Sequence, residues 1–365
     1  MNMQRSRPSS RAHGSLSFRI GHRSLGPSRP AYIVAEMSAN HGGSLRRALR
    51  ILKAAKKAGA DAVKLQTYTA DTMTIDSSRA PFRIRGTPWH GRRLYDLYCE
   101  ASTPWEWYPR LKREALRLGL DLFSTAFDPS SVDFLERQGV PIHKIASFEI
   151  VDLPLIEKAA RTGKPLILST GMATLAEIQD AVRTARRAGA REILLLKCTS
   201  AYPAPPEEMN LRAIPRLARK FRVPVGLSDH SLGIAVPIAT VSIGACLIEK
   251  HFTLSRRLRT PDSAFSMEPG EFKAMVEAVR AAEAALVGER IGPGPSEKRS
   301  LVFRRSLFAV RAIREGEAFT ANNVRSVRPG FGLSPNHLSR ILGRKALRDI
   351  GTGMPLHWDL VGEGK

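Results

Sequence analysis

Short apolar runs recur along the chain at strand length, and each gives way to turn residues and then to a segment with helical spacing. In order they read YIVAEM (32–37), AVKLQTY (62–68), DLFSTAF (121–127), IHKIAS (142–147), LILSTG (166–171), ILLLKCTS (193–200), PVGLSDH (224–230) and LIEKHF (247–252). Between them lie amphipathic stretches such as LRRALRILKAAKKAG, TPWEWYPRLKREALRLG, LAEIQDAVRTARRAG and NLRAIPRLARKF. Gly59, Gly119 and Gly189 stand just past the ends of such stretches, where a left-handed cap favours glycine. Eight strand–helix repeats over about 250 residues predict a (β/α)8 barrel.

The spacing is uneven in one place. Residues 69–102 are too many for a simple connection, and loops of that size usually form lids or binding walls. The segment WHGRRLYDLYCEA within it is aromatic and basic, which suits a wall over a polar substrate. After the last amphipathic stretch, EFKAMVEAVRAAEAALVG, the chain passes through GERIGPGPSEKRS, whose glycines, prolines and charges mark a linker. Strand-like pieces with turns at REGE, RPGFG and IGTG follow. The expected organisation is a basic disordered tail over 1–16, a barrel domain over 17–288, a linker over 289–301 and a small domain over 302–362. So small a unit buries little surface alone, so docking on a barrel or a neighbouring subunit is expected.

Composition changes this picture little. Apolar residues at 43% and charged residues at 25% describe an ordinary globular protein. No apolar run is long enough to span a bilayer, and MNMQRSRPSSRAHGS lacks the apolar core of a secretory signal. Cys99, Cys198 and Cys246 lie far apart, so neither a disulfide framework nor a zinc knuckle is suggested, and a reducing cytoplasm fits best. The formal charge of +23 is extreme. Its basic residues fall mostly on the solvated faces of amphipathic helices without interleaved aromatics, so a nucleic-acid partner is not expected. The charge would still attract phosphorylated metabolites.

In a barrel of this kind the chemistry collects where the strands end. The first strand ends near Glu36, with Asn40 and His41 beyond it, and the second carries Lys64 and Gln66. The third supplies Ser124 and Thr125, the fourth Lys144 and Ser147, and the fifth Ser169 and Thr170. Thr199, Ser200 and Tyr202 follow the sixth, and His230 and His251 end the seventh and eighth. Two inward lysines beside strand-end hydroxyls make an anion site, with phosphate as the natural occupant. A lone strand-end histidine is more often a hydrogen-bonded core residue than a ligand. Here, however, His230 and His251 sit on neighbouring strands, and with Glu36 across the mouth they form a two-histidine, one-carboxylate set. Such a set with open positions suits a divalent ion such as manganese better than closed structural zinc, and the ion can act as a Lewis acid on a carbonyl.

The segments YIVAEMSANHGGS, VKLQTY, HKIASFEI, LSTGMAT, KCTSAYPAP, GLSDHSLG and EKHFTL together resemble the sialic acid synthase family. The likeness runs from about residue 17 to 361 and includes a C-terminal antifreeze-like (SAF, β-clip) domain, here VFRRSLFAVRAIREGEAFTANNVRSVRPGFG onward. The resemblance implies condensation of phosphoenolpyruvate with an N-acylated amino sugar to a nine-carbon keto acid. Within the family, GTPWHGRRLYDLYCEASTPWEW, AFSMEPGEF and Ser200 of KCTSAYP look most like the pseudaminic acid synthases. Neuraminate or legionaminate synthesis is the alternative.

By motif, the resemblance implies that His230 and His251 bind manganese, with magnesium or cobalt as alternatives, and that Glu36 acts beside the metal. Lys64, Thr125, Lys144, Ser147, Ser169 and Ser200 match the phosphoenolpyruvate site, and Gln66, Tyr202 and Asp262 match sugar-binding positions. Arg328 of SVRPGFG matches an arginine that the antifreeze-like domain inserts into a partner subunit's site, which implies a domain-swapped homodimer. The chain departs from the family in having Ser255 after HFTL, where an aspartate is common, and RTPD at 259–262, where GGPD is usual. Arg259 and Thr260 could therefore reshape the loop that bears Asp262.

Overall fold

The computed structural model describes residues 18–363, so the tail expected over 1–16 lies outside them. Within Met1–Val287, one compact unit, eight parallel strands close into a barrel in the order β10-β3-β4-β5-β6-β7-β8-β9. They are β3 (Tyr32–Glu36), β4 (Ala62–Thr67), β5 (Asp121–Ala126), β6 (His143–Ile145), β7 (Leu166–Ser169), β8 (Ile193–Cys198), β9 (Val225–Asp229) and β10 (Leu247–His251). A preceding hairpin is formed by β1 (Phe18–Ile20) and β2 (Arg23–Leu25). The barrel expectation is borne out, and every predicted strand segment holds one strand.

The outer layer consists of α1 (Leu45–Lys57), α2 (Ala70–Met73), α3 (Leu94–Ala101), α4 (Tyr108–Leu118), α5 (Pro129–Arg137), α6 (Leu153–Arg161), α7 (Leu175–Arg187), α8 (Ala213–Phe221), α9 (Ala235–Val241) and α10 (Pro269–Ala285). Their starts are written locally. Asp128 accepts hydrogen bonds from the Ser130 and Ser131 amides at 2.7 and 3.1 Å, with Pro129 at the first helical position. Thr174 and Glu177 cap α7 reciprocally. Gly119 ends α4 in the left-handed region at φ 63°.

Strand side chains point alternately outward, against the helices, and inward. The outward set and the helices form one core, which includes Ile33, Ile51, Val63, Leu111, Leu155, Leu168, Leu195 and Phe272. The inward set near the strand starts is also apolar: Tyr32, Phe123, Leu194 and Leu247 pack with Phe18, Ile20 and Leu25 of the hairpin. The hairpin thus plugs the bottom of the barrel with hydrocarbon, and polar side chains are left to the opposite mouth.

Gly288–Lys365 form a second compact unit. In it β11 (Ser306–Ala309) pairs antiparallel with β12 (Val324–Val327), and Leu307, Ile313, Phe319, Val324, Ile341 and Leu356 supply a core of its own. Part of the stretch expected as linker is ordered as a 3-10 helix, Glu297–Phe303, whose start is pinned by the Glu297 carboxylate accepting from the Gly294 amide at 2.7 Å. Among the described residues no helix is long and apolar enough to cross a membrane.

Candidate active site

The parallel register brings the polar strand ends to one height: Glu36 pairs with Lys64 on one side and His251 on the other, Gln66 with Thr125, and Thr125 with Lys144. Inside, two lysines and two carboxylates interlock. Lys64 Nζ lies 2.6 Å from Glu36 Oε2, as an ion pair without hydrogen-bond alignment, donates to Thr125 Oγ1 at 3.0 Å and lies 3.8 Å from Glu249 Oε1. Lys144 Nζ donates to both Glu249 oxygens at 3.4 and 3.5 Å, and Ser228 Oγ donates to Oε1 at 3.0 Å. Gln66 Nε2 donates to Glu36 Oε1 at 3.1 Å.

Burial sets the electrostatics of this network. It lifts the Glu36 carboxyl from 4.5 to about 7, with Lys64 pulling it down and Glu249 pushing it up. Glu249 is buried too, yet the two ammonium groups and the Ser228 hydroxyl hold it below the usual carboxylate range. Burial lowers Lys144, whose attraction to Glu249 is only partial compensation, whereas the two carboxylates keep Lys64 raised against the same penalty.

The serines complete a polar floor beside the lysines. Ser147 Oγ and Ser200 Oγ are 2.8 Å apart, and the buried Ser169 hydroxyl has no partner. Gly171 closes the floor at φ +45°, where a Cβ would stand 2.4 Å from the Ser147 Cβ and 2.8 Å from the Ser200 hydroxyl. Only glycine lets the backbone approach so closely.

The imidazoles lie beside this floor, with ring centroids 5.5 Å apart. His230 Nδ1 is 2.8 Å from the Thr199 carbonyl, which can only accept, so Nδ1 carries a proton and Nε2 is the nitrogen free to bind elsewhere. Burial opposes charge on His230, but the Cys198 thiol and the Thr199 carbonyl hold its pKa above the ordinary value, so a cation there would displace a proton. His251 is pushed well below its ordinary pKa by burial and by His230, and its buried Nδ1 has no partner. Two nitrogen donors, one of them orphaned in the interior, fit a divalent cation. Glu36 does not join them as expected, and among the described residues no group of three His, Cys, Asp or Glu side chains is placed to hold an ion. The reason is competition, since Lys64 and Gln66 occupy both oxygens of that carboxylate.

Above the floor lies a cavity of about 450 Å³ whose lining includes Gln66, Ser147, Ser200, Tyr202, His251 and Asp262. Tyr202 stacks on His230 at 4.2 Å. Asp262 accepts from the Ser38 hydroxyl and from the Ala39 amide at 3.2 Å, and burial raises its pKa. The unusual residues of its loop have defined places. Arg259 takes the left-handed conformation at φ 50°, and the Thr260 hydroxyl donates to Asn40 Oδ1 at 2.7 Å. Asn40 in turn donates to Ser266 Oγ and the Phe252 carbonyl at 2.8 and 3.1 Å. The loop is thus pinned by a hydroxyl. Arg328 belongs to the C-terminal unit, exposed at the turn after β12.

Three contributors escaped the sequence reading. Glu249 shares the parity of His251 on LIEKHF and so faces inward. Glu149 follows the fourth barrel strand in HKIASFEI; it lines the cavity with Oε2 buried and unpartnered, and burial lifts it to about 7. Trp89 donates from Nε1 to the Pro261 carbonyl at 2.9 Å. WHGRRLYDLYCEA is also not basic in effect, since its Arg92 and Arg93 pair with Glu100, Asp96 and Asp76.

Comparison with known proteins agrees with this geometry. The profile of the NeuB family matches residues 51–291, and that of the SAF domain matches residues 304–362. The chain is 50% identical over 333 residues to the pseudaminic acid synthase of Helicobacter pylori, covering 91% of this chain and 98% of that one. It is 38% identical over 346 residues to the N,N'-diacetyllegionaminic acid synthase of Legionella pneumophila, covering 93% and 97%. The crystal structure of the N-acetylneuraminic acid synthetase of Leptospira borgpetersenii, in complex with citrate, superposes with a TM-score of 0.70 at 33% identity over 79% of this chain and 95% of that one. The resemblance read from the strand-end motifs is borne out: the chain belongs to the NeuB family and carries a SAF domain.

Proposed function

We propose that the chain is a transferase, a pseudaminic acid synthase, which condenses phosphoenolpyruvate with 2,4-diacetamido-2,4,6-trideoxy-β-L-altropyranose and water and releases phosphate. The observation that carries this reading is the meeting, in one barrel mouth, of a two-lysine anion floor and a histidine pair beneath a polar cavity. The 50% identity to a pseudaminic acid synthase, against 38% to a legionaminic one, supports the choice of sugar.

In this reading Lys64, Lys144, Thr125, Ser147, Ser169 and Ser200 hold the carboxylate and phosphate of phosphoenolpyruvate, and the lysines offset charge on the leaving phosphate. Gln66, Tyr202 and Asp262 hold the open-chain sugar with its aldehyde carbon facing the enol methylene. His230 and His251 hold a divalent cation, for which manganese is the expected ion. When bound, it supplies Lewis-acid polarisation of the sugar carbonyl. Carbon–carbon bond formation leaves a cationic centre at C2 of the former enol, and water adds there. Glu36, with a pKa near neutrality, takes one of the water's protons; the hydroxyl left on C2 becomes the ketone as phosphate departs with the C2–O electrons, and the two protons released pass to the former aldehyde oxygen and to the phosphate. Arg328 contributes from a partner subunit in a domain-swapped homodimer, and the free cysteines Cys99, Cys198 and Cys246 support a reducing cytoplasm as its location.

The test is phosphate release from phosphoenolpyruvate with manganese and a panel of N-acylated sugars, with metal content measured in parallel on His251→Ala. The altrose derivative should be the preferred sugar, and His251→Ala should lose metal and turnover together. Preference for N-acetylmannosamine or for the legionaminate precursor would refute the choice of sugar. Full turnover by a metal-depleted His251→Ala chain would refute the ligand assignment.

A further inference from the structure

The lining of the cavity is of two kinds. Gln66, Tyr202, His251 and Asp262 offer polar atoms, and Thr87 and Tyr98 add hydroxyls, while Met73, Ile84, Leu94 and Leu97 offer apolar side chains. All four apolar residues come from the segment 69–102, with Leu94 and Leu97 on α3. Leu97 is only 7% exposed, so its side chain is committed to this wall. The two arginines next to α3 are engaged within the segment: Arg93 grips Asp96 at 2.5 and 2.8 Å and Asp76 at 2.7 Å, and Arg92 grips Glu100 at 2.5 Å. Trp89 fastens the wall to the loop that carries Asp262, through the Pro261 carbonyl and through its ring against Phe265 at 6.1 Å. A cavity lined by both polar groups and hydrocarbon orients a ligand that is likewise divided between polar and apolar groups.

The sugar of the proposed reaction is divided in this way. Its hydroxyls and carbonyl oxygen need donors and acceptors, whereas its C6 methyl and acetamido methyl groups need apolar contact. Resting on the activity proposed above, we infer that the wall built by 69–102 receives the C6 methyl and the 4-acetamido methyl, and that Ile84 and Leu97 are specificity-determining residues against sugars hydroxylated at C4 and C6. A hydroxyl pressed against the Ile84 or Leu97 side chain loses its water to a group that neither donates nor accepts. Discrimination of that kind, one methyl gained or one hydroxyl stranded, amounts to about 10- to 200-fold in kcat/KM.

The experiment compares kcat/KM for the diacetamido trideoxy altrose with that for N-acetylmannosamine in the wild type, Ile84→Ser, Leu97→Asn and Leu97→Met. The wild type should prefer the former. In Ile84→Ser and Leu97→Asn the preference should fall at least tenfold through the KM of the altrose derivative, with the phosphoenolpyruvate KM within about twofold of wild type. Leu97→Met, which keeps the apolar volume, should retain the wild-type ratio. Ile84 is only half-buried, so its variant serves if Leu97→Asn does not fold. A wild type that prefers N-acetylmannosamine overturns the activity reading and the inference with it. A wild type with the expected preference, whose ratio survives in the folded polar variants, overturns the inference alone.

Discussion

Replacing Glu36 with glutamine should make the metal-free protein more stable while it destroys turnover. Glu36 is 1% exposed, and burial lifts its carboxyl from 4.5 to about 7 even with Lys64 beside it. An acid whose pKa is raised by folding is a liability that grows with pH. The liability is absent where the unfolded carboxyl is still protonated, below about 4.5, and is complete once pH exceeds the folded value near 7. At about 1.4 kcal/mol for each unit, that interval amounts to roughly 3 kcal/mol. Glutamine keeps the shape of the protonated acid and cannot ionise. Lys64 would still have the Thr125 hydroxyl at 3.0 Å and Glu249 at 3.8 Å.

The assay is urea unfolding in the presence of a chelator, at pH 5 and pH 8, with slopes compared so that midpoints report stability. Glu36→Gln should exceed the wild type by about 3 kcal/mol at pH 8, and the difference should shrink towards zero near pH 5. With manganese restored, loss of the proton acceptor should lower kcat by about 100-fold or more. A variant less stable than wild type at pH 8, or one whose advantage ignores pH, would refute the account in which burial dominates. Wild-type kcat in the variant would remove Glu36 from the chemistry.

Lys250 lies behind the histidines, 2.5 Å from both Asp229 Oδ2 and the Ser231 carbonyl, on either side of His230. Lys250→Met should cost about 3–5 kcal/mol in unfolding free energy, because it strands a buried carboxylate, and adding Asp229→Asn should recover part of the loss. Thr260→Val removes the hydroxyl that pins the Asp262 loop to Asn40, worth about 1 kcal/mol. Steady-state kinetics should show the sugar KM up about fivefold, phosphoenolpyruvate unaffected and Thr260→Ser near wild type; an equal rise in both KM values would indicate general damage. Arg328→Ala should raise the sugar KM and leave that of phosphoenolpyruvate unchanged, and, at a sugar concentration too low for Arg328→Ala to turn over, mixing it with inactive His251→Ala chains should restore activity in exchanged dimers. Mixed dimers as inactive as either parent would refute a shared site.

The barrel was legible because each strand falls in a mostly apolar run that is buried almost throughout, and because glycines such as Gly119 stand where helices stop. The rim was legible for a geometrical reason: residues that end parallel strands must share one height, so Glu36, Lys64, Lys144, His230 and His251 could be grouped before any distance was known. Glu249 was missed by the same rule. It sits two residues before the end of β10, one inward layer below the rim, where alternation predicts its direction but strand-end position does not flag it. The wall over the cavity was misread because composition counts charges without saying where they are spent. Arg93 and Asp96 at helical spacing were the available hint that the positive charge would be satisfied within the segment. Glu36 as a third metal ligand failed for want of distances: residue identity allows either a cation or an ammonium partner, and Lys64 on the adjacent strand is at 2.6 Å.

The same reasoning bears on the formal charge of +23. Such an excess invites the idea that the protein attracts its anionic substrate by bulk positive charge. Yet the anion floor is nearly balanced, with Lys64 and Lys144 facing Glu36 and Glu249. The surplus lies elsewhere, on exposed outer positions such as Arg46 and Arg50 of α1 and Arg110 and Arg113 of α4. Charges there are screened within about 8–10 Å at physiological salt, so they influence how often an anion arrives and hardly how it is held. In the proposed reaction, binding would be decided by the buried four-group network, where Lys64 can turn to a substrate oxygen only as far as it releases Glu36. The carboxylate that would take up a proton is therefore freed by the anion whose reaction requires it.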